Sequence, residues 1–307
     1  MINSQHQTVL LNESIDQLGI KPDGVYIDAT FGGGGHSKGI LKKLNHQGRL
    51  IAFDQDDSVS AFGINDERFT LISENFEHIA LFINHLGIQE VDGILADLGF
   101  SSIQLDNPER GFSYKYNSPF DMRMNCRQKT TAKDILLQKS EKELADMFMV
   151  HSQIPNARKL AAYIVQNRQH IKLDTSFEIM EWLGSFIIGQ KEKYWSQFFQ
   201  AFRMEVNQEI KVLNNFLHSL TKIVKQGGVV AIITFHSVED KIVKNYFKST
   251  VKNLEKDLIF GFKKSERQIW QLLSQKAILP SESEIKMNNR ARSAKLRVAK
   301  LINKNGI

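Results

Sequence analysis

Apolar positions follow two different spacings along this chain. Up to about residue 106, short apolar runs at 25–28, 49–53, 69–72 and 92–97 read as strands. Between them, 8–18, 37–45, 57–62 and 76–86 are spaced for helices. Such alternation builds a mainly parallel sheet. From about 107 to 208 the helix period dominates, as in Ala157, Leu160, Ala161, Ile164 and Val165 and around Trp182, Phe186 and Ile187. Strand character returns at Gly227–Phe235, and 294–302 predicts a closing strand with its basic residues facing out. The simplest organisation is one discontinuous α/β domain, 1–106 and 209–307, with a helical insertion at 107–208 between the fourth and fifth strands. That insertion would lie at the carboxyl edge of the sheet, where open α/β sheets bind ligands.

The 307 residues allow a sizeable core, and 42% hydrophobic with 24% charged residues is ordinary for a globular protein. Cys126 is the only cysteine, which excludes an internal disulfide and a Cys-rich zinc site. No basic-then-apolar leader is visible, and the longest apolar run, Val229–Phe235, is too short to span a membrane. A cytoplasmic protein with no membrane contact is expected. The net charge of +6 is unevenly spread: after Glu284 there is no acid, while Lys286, Arg290, Arg292, Lys295, Arg297, Lys300 and Lys304 are basic. Such a stretch suits phosphate, and hence RNA.

The densest signal is Asp28-Ala-Thr-Phe-Gly32-Gly33-Gly34-Gly35-His36, directly after the apolar Val25-Tyr-Ile. A strand, a glycine turn and a helix start make a cofactor-binding corner, because a ligand can lie against bare main chain. Counting excludes two common versions. The third glycine of a dinucleotide fingerprint would fall on Ser37 or Lys38, and Ile40 stands where a phosphate loop needs lysine. Asp54, ending the next strand, suits ribose hydroxyls. This combination looks like the S-adenosylmethionine site of a Rossmann-like methyltransferase.

A third strand ends at Asp97 and runs into Leu98-Gly-Phe100. The exocyclic amine of cytosine or adenine is a poor nucleophile, since its lone pair is delocalised into the ring. A carboxylate accepting its N–H would enrich the nitrogen, and an aromatic face would hold the base against the donor. Asp97 could equally anchor the donor's amino group. Arg203 and Asn207 share a helix face, where they could reach a phosphate, although an inert exposed face is the favoured reading. Ser237 with Asp240 resembles a helix cap, and His236 is a candidate for positioning. Methyl transfer needs no metal, and the sequence shows no compact ligand cluster.

Together these segments resemble the bacterial small-subunit ribosomal RNA methyltransferases known as MraW or RsmH. The resemblance runs through His6–Glu13, Asp28–Ser37, Asp97–Asp106, Arg110–Tyr114, Phe120–Met124, Phe199–Asn207, Phe235–Lys241 and Asn289–Arg297. Each is weak alone; in this order they are highly specific. The resemblance implies a Rossmann-like class I methyltransferase sheet with a helical inserted domain for substrate recognition. It implies transfer from S-adenosylmethionine to the N4 amine of a cytidine in the decoding region of 16S rRNA, in the small ribosomal subunit. It also implies donor contacts at Gly34, Gly35, His36, Asp54, Phe76, Asp97 and Gln104. A homodimer is among the options left open.

The chain departs from the family's usual pattern at Phe100 and Ile103, where valine and proline are common. It departs again at His151–Ala157 and at Lys193–Phe198, on the side expected to face RNA. Two other readings stay open: a DNA cytosine-N4 or adenine-N6 methylase, and an RNA-binding assembly factor that has lost activity.

Overall fold

A computed structural model describes residues 8–171, 173–252 and 269–304. Seven strands form one sheet: β1 (Val25–Asp28), β2 (Arg49–Phe53), β3 (Phe69–Ile72), β4 (Val91–Asp97), β5 (Val224–Thr234), β6 (Trp270–Leu272) and β7 (Lys295–Leu301). Their order is β3-β2-β1-β4-β5-β7-β6, with β1 to β5 parallel and β7 antiparallel to both its neighbours. This is a Rossmann-like class I methyltransferase sheet. The four early strands match the apolar runs closely. The segment 57–62 forms a 3-10 turn instead of an α-helix, and 76–86 splits into a 3-10 turn followed by Ile79–His85.

The chain divides into two compact units, Met1–Gly99 with Val212–Ile307, and Phe100–Lys211. The second unit begins at Phe100, ahead of the expected 107. In the first unit, strand alternation feeds two core layers. Ile27, Ile94 and Ala96 join one cluster, while Tyr26 and Leu95 join another. Six of the seven positions of β4 are buried, as befits a central parallel strand covered on both faces.

One expectation fails at β7. Arg297 does not face out: it is 8% exposed and grips Asp240 through Nε (2.6 Å) and Nη2 (3.1 Å). Because β7 lies between β5 and β6 rather than at the sheet edge, both its faces are covered, and a charge there needs a partner.

The second unit is helical around a core dominated by aromatic side chains. The helix Lys191–Val206 buries Tyr194, Trp195, Phe198, Phe199 and Phe202. Thr131 with Asp134, Ser140 with Glu143, and Thr175 with Glu178 start three other helices as reciprocal capping boxes.

Candidate active site

Because β2, β1 and β4 are adjacent and parallel, their carboxyl ends share one edge. Asp28 closes β1, Asp54 follows β2 and Asp97 closes β4. Asp28 is fully buried; it accepts the Ser37 hydroxyl at 2.7 Å and the Thr30 N–H at 3.2 Å. Burial pushes its carboxyl up to about 6, against the opposing pull of His36 and Ser37. These bonds tie the strand end to the following helix, which is a supporting task.

Asp54 accepts the Gly32 N–H at 2.8 Å and the Asp56 N–H at 2.9 Å, so it organises the glycine loop directly. Burial raises its carboxyl to about 6 despite these bonds. Gly32 and Gly34 adopt φ +50° and +74°, which L side chains rarely tolerate. A Cβ on Gly34 would stand 2.9 Å from the Phe31 ring, and one on Gly35 would collide with the Thr8 side chain.

His36 is 4% exposed, and neither ring nitrogen has a hydrogen-bond partner. Its Nε2 lies 3.6 Å from Oδ2 of Asp97, whose Oδ1 is also buried and unpaired. The Asp97 N–H donates to Thr30 Oγ1 at 2.6 Å, a contact that no sequence pattern signalled. Phe76 opens a short turn capped by Asn75 and meets Phe216 edge-on, with centroids 5.1 Å apart.

Gln104 lies in the second unit, where its side chain completes a capping box with Ser101. There too, Asn207 accepts the Met124 N–H and donates to the Met122 carbonyl, both at 2.8 Å, so it staples a loop. Arg203 is committed to Glu209 through a two-bonded fork of 2.7 and 2.9 Å. Neither residue is on an inert exposed face. The Phe100 ring is stacked with Phe112 and stands 4.8 Å from the Arg203 guanidinium. In the first unit His236, not Ser237, caps the helix Ser237–Lys252. Its Nδ1 accepts the Glu239 N–H, and Glu239 reaches back to the Phe235 N–H.

A model of the MraW methylase family matches residues 3–302. The chain belongs to the MraW methylase family. Among its relatives, one from Christiangramia forsetii is 44% identical over 298 residues, covering 96% of this chain and 97% of that protein. Another, from Flavobacterium johnsoniae, is 44% identical over 300 residues, covering 97% and 98%. Both carry the name ribosomal RNA small subunit methyltransferase H.

As a MraW methylase, the protein takes its methyl group from S-adenosylmethionine. The strand-end residues fit this donor, which carries a sulfonium cation, an amino acid end and a ribose. Glycine main chain, three carboxyl groups and unpaired His36 and Asp97 atoms offer matching partners on one edge. Among the described residues, no helix is long and apolar enough to cross a membrane.

Proposed function

We propose that this MraW methylase transfers a methyl group to the N4 amine of a cytidine in the decoding region of 16S rRNA, acting on the small ribosomal subunit in the cytoplasm. The observation that carries the chemistry is Asp97. It ends a buried central strand with one carboxyl oxygen unpaired, in a chain whose relatives are named for ribosomal RNA methylation.

Gly34, Gly35 and His36 line the donor's amino acid end, Asp54 takes the ribose hydroxyls and Phe76 packs on the adenine. Gln104 adds a further donor contact, by resemblance to the family. Asp97 accepts the N–H of the target amine. The amine's lone pair then attacks the methyl carbon as the carbon–sulfur bond breaks, leaving a neutral thioether. The nitrogen loses its proton only after attack, so no strong base is required. Rate comes from alignment and electrostatics. The helical unit holds the RNA.

The test supplies purified protein with labelled S-adenosylmethionine and small subunits that lack the modification, then maps the label by mass spectrometry. Label on the N4 of a decoding-region cytidine is expected. Label on another nucleotide, or on DNA alone, overturns the substrate assignment.

A further inference from the structure

We infer that Arg203 is a positioning residue for the loop that carries Asp97, acting through Phe100. This rests on the methyl-transfer reading above, which gives Asp97 its task.

The two sides of that loop are held very differently. On the strand side, the Asp97 N–H is bonded to Thr30 and the Leu98 N–H to the Ile233 carbonyl. Gly99 follows at φ +101°, with no side chain to fix it. Phe100 is therefore the next residue able to anchor the loop. Its ring is engaged by Phe112, at 5.5 Å and an interplanar angle of 17°, and by the Arg203 guanidinium at 4.8 Å. An aromatic ring engaged in this way serves as an anchor rather than as an open face for the target base.

Arg203 is well built to hold it. The fork to Glu209 fixes the guanidinium plane, which an ammonium could not reproduce. The Arg203 carbonyl accepts the side-chain amide of Asn207, and that same Asn207 holds Met122 and Met124. Met122 sits at φ +63°, a strained value for a residue with a side chain. The Met122 N–H is bonded to the Arg110 carbonyl as well. One helix end thus fixes both the anchor of the Asp97 loop and a second, strained loop. Such rigidity costs stability elsewhere and is repaid where placement within an ångström governs rate.

The test compares wild type with Arg203→Met, Arg203→Lys, Phe100→Ala and the Phe100→Ala/Arg203→Met double variant. Hydrogen exchange reports the amides of 98–101, and single-turnover methyl transfer to small subunits reports chemistry. Expected for Arg203→Met are faster exchange at Gly99 and Phe100, a rate loss of roughly ten- to a hundredfold, and donor affinity unchanged. The double variant should be no slower than the worse single one, and Arg203→Lys should restore only part of the rate. A purely structural role would instead lower thermal stability and the active fraction, leaving the rate per active site intact. Unchanged exchange in both Arg203 variants, or additive losses in the double variant, overturns the inference. If wild type itself labels no subunit, the substrate reading fails, and the exchange data still decide the role of Arg203.

Discussion

His36 and Asp97 face each other across the ends of β1 and β4, with Nε2 3.6 Å from Oδ2, and both side chains keep buried polar atoms unpaired. Leaving a buried polar atom unpaired costs about 1–3 kcal/mol, so folding alone gives no reason to keep this pair. Its position at the carboxyl edge of the sheet gives a functional one.

Asp97→Ala should therefore abolish methyl transfer and leave the fold intact. The internal bond of this residue is made by its backbone N–H, which alanine retains. Thermal unfolding should be nearly unchanged while labelled-methyl incorporation falls to background. Near-normal turnover on small subunits would remove Asp97 from the mechanism.

Asp54 gives a pH signature. Its carboxyl rises from 3.8 to about 6 on folding, so the folded state holds this proton longer than the unfolded state. The resulting stabilisation is full below the unfolded value and is lost as pH rises through about 6. Subtracting the Asp54→Asn stability profile from that of wild type, by urea denaturation, should reveal a component falling with pH across this window. Asp28 shares the direction and is coupled to it. Donor affinity should move oppositely, rising as Asp54 ionises, and Asp54→Asn should flatten that rise. A pH-independent affinity in wild type would contradict the ribose assignment.

Asp240 and Arg297 form the most costly pair to break. Burial disfavours the Asp240 charge, yet the Arg297 and Lys295 cations prevail and hold its carboxyl below the ordinary range. Its contribution is present at neutral pH and is lost as pH falls through the depressed value. Arg297→Met should destabilise by about 3 kcal/mol, since Lys295 remains 3.4 Å from Asp240 as a partial substitute. Asp240→Ala should cost more, because it strands a buried guanidinium. A change below about 1 kcal/mol in either variant would show that the pair is dispensable.

Arg290 and Arg292 are exposed on the short turn before β7. Replacing both with glutamine should weaken rRNA binding and make its salt dependence shallower, by about 0.7–0.9 in log–log slope per lost phosphate contact. An unchanged slope in filter-binding titrations would show that this turn does not touch phosphate.

The sequence alone determined the early strands, the glycine turn and the strand-end acids. These rest on local rules: apolar period, the freedom of glycine and the short range from a strand end to its loop. Three capping boxes in the helical unit were equally legible as Ser or Thr followed three residues later by an acid, although the helix period drew attention away from them.

Only the tertiary structure decided what the polar side chains do. Asp54 supports the glycine loop, Asn207 staples Met122 and Met124, and Arg297 turns inward to Asp240. In each case the partner is remote in sequence or the side chain's direction depends on how its strand is covered. A buried polar group is satisfied by whatever the fold brings within about 3 Å. Residue type and spacing say that a partner is needed; strand order and packing say which one it is.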